Sequence, residues 1–107
     1  MDPNNDTKDN NILLTGVKYD QNKSRVDLIP PKVIKDIGDV LAFGARKYAP
    51  DNWKHVDDAR DRYYGAALRH LLEWREGNKI DKESNLPHIA HALTCLSFIT
   101  WFDENED

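Results

Sequence analysis

Three stretches of the chain carry apolar residues at helical spacing. In "PPKVIKDIGDVLAFGARKY", Val33, Ile37, Val40, Leu41 and Gly44 fall at i, i+4, i+7, i+8 and i+11, which gives one apolar face. Pro30–Pro31 is a helix-opening signal, and Pro50 predicts a stop near Tyr48. In "DDARDRYYGAALRHLLEWREG", Tyr63, Ala66, Ala67, His70, Leu71 and Trp74 line a single stripe. Asp57 or Asp58 is placed to cap this helix and Gly77 to end it. The third helix opens at Leu86–Pro87 and runs through "HIAHALTCLSFITWF" to about Phe102. Ile89, Leu93, Leu96 and Ile99 or Thr100 are its expected inner face.

The remaining pattern is sparser. Residues 1–11 are nearly devoid of apolar side chains and read as a disordered tail. Residues 12–29 hold apolar positions at irregular intervals and read as an extended arm. The expectation is an all-α domain over residues 12–107: a bundle of three main helices with an extended N-terminal arm. The third helix is apolar almost all round, which two neighbouring helices cover poorly. We therefore expect a homo-oligomer, a dimer or tetramer, that completes the core.

Composition narrows the function classes. The 107 residues fit one domain with a modest core. A net charge of -4 argues against a protein that coats DNA or RNA, but it leaves room for a local basic pocket. Cys95 has no partner in the chain and sits in the apolar run "ALTCLSFITW", which suggests packing and a reducing compartment. The start "MDPNNDTKDNN" has no signal-peptide pattern, and the longest apolar run is too short to span a bilayer. The expected location is the cytoplasm, with no membrane association.

The polar residues then form three groups. "LRHLLEWREGNKIDKESNLPHIAH" holds His70, His88 and His91 with Glu73, Asp81 and Glu83. His70 and Glu73 share one helix face at i, i+3, as do His88 and His91 on the next helix. A short loop makes the two helices antiparallel, and facing imidazoles and carboxylates are how bundles build divalent-metal sites. The alternative is that His70 and His88 are helix-terminal polar residues and His91 a satisfied core histidine. The second group, "GVKYDQNKSRVDLIPP", interleaves Lys18, Tyr19, Asp20, Lys23 and Arg25, either a solvated edge or a clasp for phosphates. The third, "GARKYAPDNWKH", clusters Lys47, Tyr48, Asn52, Trp53 and Lys54. It suits a nucleobase, or it is a loop pinned by its aromatics. There is no Gly-rich phosphate loop, so side chains or a metal would have to hold any phosphate.

Taken together, "KYDQNKSRVDLIPP", "FGARKYAPDNW" and "ALRHLLEW…GNKIDKESNLPHIAHAL" resemble the small bacteriophage family of dATP/dGTP diphosphohydrolases over about residues 16–102. That family is similar to the MazG-like all-α nucleotide pyrophosphohydrolases. The resemblance implies cleavage of a purine (deoxy)nucleoside triphosphate to a monophosphate and pyrophosphate with Mg²⁺ or Mn²⁺, in the cytoplasm of an infected host. It also implies assembly as a dimer or tetramer.

On this reading Glu73, His70, His91 and Arg69 carry catalysis, and Glu73, Asp81, Glu83, His88 and His91 hold metal. Lys18, Lys23, Arg25 and Arg69 face the phosphates. Lys47, Tyr48, Asn52, Trp53 and Lys54, with Tyr19 and Asp20, hold the rest of the nucleotide. MazG-like chains carry Glu-Glu-x-x-Glu on one helix and Glu-x-x-Asp on the next. Here Arg69-His70-Leu71-Leu72-Glu73 and His88-Ile89-Ala90-His91 stand there, and only Glu73 is acidic. Imidazoles in place of carboxylates favour Mn²⁺ or a transition metal over Mg²⁺, or remove metal binding.

Overall fold

The computed structural model describes residues 22–105, and among them the fold is all-α. Three helices of equal length carry it: α1 (Pro31–Lys47), α2 (Ala59–Arg75) and α3 (His88–Glu104). A 3₁₀ turn, Asn52–His55, links α1 to α2. The segment before Pro31 is a separate unit, whose described part holds one 3₁₀ turn, Val26–Leu28. The expected tail and most of the expected arm, including Lys18, Tyr19 and Asp20, lie outside the described residues.

Local chemistry sets the helix ends. α1 starts on Pro31, and a final bond from the Tyr48 N–H to the Gly44 carbonyl closes its last turn before Pro50. α2 starts after Asp58, as the sequence suggests, but the Asp58 side chain makes no capping bond. Its backbone is left-handed (φ 53°), a conformation that Asp tolerates better than most residues. The other end of α2 is a Schellman motif: Gly77 N–H bonds the Trp74 carbonyl and Asn78 N–H bonds the Glu73 carbonyl. That geometry needs a positive φ at residue 77, and Gly77 supplies φ 99°.

α3 is the central helix, with α1 and α2 both packed against it. These neighbours account for two of its apolar faces. Its buried residues are His88, Ala90, Ala92, Thr94 and Cys95, and α2 contributes Ala59 and Ala67. These are nearly all small, so the backbones approach closely. The Thr94 hydroxyl is satisfied by donating to the Ala90 carbonyl. The inner face therefore differs from the expected one. Ile89 and Leu96 on α3, and Leu71 and Trp74 on α2, are exposed, because small residues and histidines occupy the contact line instead.

At the far end of α3 an aromatic cluster takes over from the small residues. The Trp53 ring stacks on Phe98 at 4.2 Å and meets Trp101 and Phe102 edge-on. Tyr63 of α2 also packs on Phe98.

α1 has no fully buried residue, and Gly38 in its middle faces open space. Gly38→Ala is therefore expected to stabilise the protein by about 0.5–1 kcal/mol, since alanine restricts the unfolded chain and meets nothing when folded. Thermal denaturation followed by circular dichroism reads this as a rise in Tm.

Candidate active site: a histidine cluster between two clefts

The loop joining α2 to α3 folds back on itself. Ile80 and Pro87 form an antiparallel bridge, the Asp81 N–H bonds the Leu86 carbonyl, and the His88 N–H bonds the Lys79 carbonyl. This closed loop carries Asp81 onto the histidines at the facing helix ends. His70 comes from the last turns of α2, and His88 and His91 from the first turn of α3.

The three imidazoles are in contact. His70 Nδ1 and His88 Nδ1 lie 2.8 Å apart, so one ring carries the proton that the other accepts. His70 and His91 stack at 4.6 Å with their planes 10° apart. The edge of Phe43 from α1 packs against His91. His88 is buried, whereas His70 and His91 are half-buried.

Asp81 Oδ2 accepts from both the Ser84 N–H and the Ser84 hydroxyl, each at 2.9 Å. The Ser84 Oγ also lies 2.6 Å from His91 Nε2 and accepts from the Leu86 N–H. A hydroxyl has one proton. If it went to His91, Ser84 Oγ and Asp81 Oδ2 would face each other lone pair to lone pair at 2.9 Å. The order is therefore His91 Nε2–H to Ser84 Oγ–H to Asp81 Oδ2, which leaves Nδ1 as the basic nitrogen of His91.

Burial, reinforced by the neighbouring imidazoles of His91 and His88, lowers the His70 pKa below its ordinary value, against a smaller pull from Asp81. Burial likewise lowers the His91 pKa; Asp81 and Glu83 oppose it and His88 adds to it. Burial pushes the Asp81 carboxyl up, but the two Ser84 hydrogen bonds and the nearby imidazoles outweigh it and hold the group below the usual carboxylate range. The stability consequence has a definite sign. As pH falls below about 6.5, the unfolded chain takes up protons on these histidines before the folded one does. Tm is therefore expected to be flat above neutrality, as far as these groups go, and to fall as pH drops from 6.5 through the lowered folded-state values. His91→Gln is expected to shrink that fall, checked by melting curves between pH 8 and pH 5.

The cluster stands between two clefts, and Arg69, His70 and Asp81 line both. The larger, about 1180 Å³, runs between α1 and the other two helices, past Tyr48, Trp53 and Tyr63. Ligand pockets generally span roughly 300–1,000 Å³, so it has room for a nucleotide. The smaller, about 730 Å³, opens beside the α2–α3 loop and is bordered by Glu73, Lys82 and His88. Arg69 has no ion pair among the described residues, and its guanidinium lies over Gly65, where an added Cβ would come within 3.3 Å of Nη1. An unpaired arginine beside imidazoles is a ready anion site.

The expected residues fall into place unevenly. His70, His88, His91 and Asp81 converge. Glu73 borders the small cleft, but its carboxylate accepts from the Asn78 side chain, and it does not join the donor cluster. Glu83 is paired with Lys47 across the large cleft instead of facing the imidazoles, and this pairing raises the lysine pKa. Lys47, Tyr48, Asn52 and Trp53 do line the large cleft. Lys54 stands over Trp53 and Trp101 as a cation–π partner. In the separate N-terminal unit, the Arg25 guanidinium grips both oxygens of Asp27, and Lys23 is exposed. Ser84 was not among the expected residues. Its signal was local: Asp81-Lys82-Glu83-Ser84 is the spacing of a side-chain-closed turn.

The large cleft combines Arg69 and the imidazoles with aromatic rings, and sequence comparison gives the family in which this arrangement occurs. The profile of the family described as dATP/dGTP diphosphohydrolase, N-terminal, matches residues 14–107, so the chain belongs to that family. It is 39% identical over 92 residues to the dATP/dGTP diphosphohydrolase of Salmonella phage PMBT28. The match covers 86% of this chain and 31% of that protein, so the chain spans about a third of its relative's length. No solved structure matches the chain. No helix among the described residues is long and apolar enough to cross a membrane.

Proposed function

We propose that the chain binds a purine deoxynucleoside triphosphate, dATP or dGTP, in the large cleft and hydrolyses it to monophosphate and pyrophosphate. The observation that carries this is the position of Arg69: an unpaired guanidinium on the wall of both clefts, beside three imidazoles, in a chain whose relative is named for this activity. Arg69 binds the phosphates and stabilises the charge that develops as the bond breaks. The exposed Tyr48 ring and Asn52, at the α1 exit, suit the base and sugar. His91, neutral at pH 7 and basic at Nδ1, is placed to accept a proton from the attacking water, and Ser84 and Asp81 hold its ring.

A divalent cation belongs to this reading, and the donor set selects among such ions. Mg²⁺ takes oxygen ligands, yet only Asp81 supplies a carboxylate here, beside His70 and His88. Mn²⁺ accepts such a mixed set. When bound, the ion would neutralise phosphate charge and lower the pKa of water. We also propose self-association, supported by the exposed apolar stripes Tyr64–Leu68–Leu72 on α2 and Ile89–Leu96 on α3.

A second reading, nucleotide binding without cleavage, is favoured by one fact: the chain spans 31% of its relative. Incubation with dGTP, dATP and pyrimidine controls in the presence of Mn²⁺, with products separated by ion exchange, decides between them. Monophosphate and pyrophosphate in equal amounts support hydrolysis. Saturable binding without product supports sequestration, and the absence of both binding and product would overturn a nucleotide function.

A further inference from the structure

His70, Asp81 and His88 sit on three different pieces of structure: the end of α2, the bridged loop and the start of α3. One donor atom from each falls within 4.8 Å of the others. We propose that these three residues form a site for one transition-metal ion of the Mn²⁺/Co²⁺/Ni²⁺ class, selective against Mg²⁺ and Ca²⁺.

Three observations carry this. First, the two ring nitrogens face each other at 2.8 Å. That distance is the hydrogen bond between the rings, and it brings two imidazole nitrogens to one place, where an ion can take the position of the shared proton. Between neutral rings, metal binding needs only that the donor ring move its proton from Nδ1 to Nε2, with no net proton released.

Second, the ligands are held by other residues, as metal ligands usually are. Ser84 fixes the Asp81 carboxylate by two bonds to Oδ2, which leaves Oδ1 its lone pairs. His91 stacks flat on His70 and fixes that ring's plane.

Third, the chemistry of the set discriminates. Two imidazoles and one carboxylate suit borderline ions, whereas Mg²⁺ and Ca²⁺ want oxygen throughout. The small cleft gives an ion and its waters access from outside, and both clefts meet at His70 and Asp81, so the remaining coordination positions face the proposed phosphate path. Glu73 and Glu83 are excluded, since Asn78 and Lys47 hold them elsewhere.

The test needs no nucleotide, so its failure is separable from failure of the hydrolase reading. The metal-stripped full chain is titrated with Co²⁺, followed by visible absorption, and with Mn²⁺ and Mg²⁺ by calorimetry. One equivalent of Co²⁺ is expected to bind with a saturable change in visible absorption, and Mn²⁺ at least tenfold more tightly than Mg²⁺. His70→Gln and Asp81→Asn are each expected to weaken Co²⁺ binding tenfold or more, with circular dichroism confirming the fold, while Glu73→Gln stays within twofold. Because His88 is buried and its variants are prone to misfold, the wild-type chain supplies its own check: Co²⁺ should shift the proton resonances of His70 and His88 more than those of His55. Mg²⁺ binding as tightly as Mn²⁺, Co²⁺ binding indifferent to His70→Gln, or equal shifts at His55 would each overturn the proposal.

Discussion

Alanine at Arg69 is expected to lower the turnover of dGTP by roughly 10²–10³-fold, the usual cost of removing one preorganised donor to developing charge. The protein should fold as well as before. Arg69 is exposed on α2 and has no ion pair among the described residues to lose, and alanine is the better helix former, so Tm should move by only a few degrees. The loss should fall on kcat more than on KM if the guanidinium acts mainly on charge formed in the transition state. Arg69→Lys should recover part of it, since it restores the charge without the planar fork. Steady-state kinetics on the three proteins give the answer. Wild-type turnover in Arg69→Ala would remove Arg69 from the chemistry. It would return the cleft to a binding role in which Lys47 and Arg62, which line the same cleft, carry the phosphates.

The helices were legible in the sequence because their ends have local causes: Pro31, the Gly77 left-handed stop and the Pro87 start act within a turn of themselves. The pairing of imidazoles was legible because two i, i+3 pairs on helices joined by a short loop must face each other. The side chains beyond them were not. Hydrophobic periodicity favours the largest apolar residues for the core, yet Ala90, Ala92 and Thr94 took the contact line and left Leu96 49% exposed. The destination of each carboxylate depended on competing partners. Asn78 and Lys47 captured Glu73 and Glu83, and only Asp81, locked by Ser84 in a tight turn, reached the histidines. Such competition is settled in three dimensions and leaves no mark in residue spacing.

Trp53→Ala is expected to cost about 2–4 kcal/mol of stability, somewhat below the usual figure for a fully buried tryptophan because the ring is half-buried. The buried core of this domain consists almost entirely of small side chains. Apolar area at the α3 C-terminal end therefore comes from the aromatic cluster, and Trp53 is its hub: stacked on Phe98, edge-on to Trp101 and Phe102. Removing it opens a void where the 3₁₀ turn docks on α3. Against a total of roughly 5–15 kcal/mol this is a large share, and a drop in Tm of roughly 10–25 °C follows for a domain of this size. The substitution also separates two roles for the residue. A base stacked on Trp53 would need a free ring face, but Phe98 covers one side and the Lys54 ammonium stands 5.5 Å from the ring centre. Trp53→Phe keeps an aromatic on Phe98, so it should recover most of the stability and leave the KM for dGTP within about twofold. A Trp53→Phe protein that melts like wild type but binds nucleotide tenfold more weakly would instead make Trp53 the base platform, with its packing on Phe98 secondary.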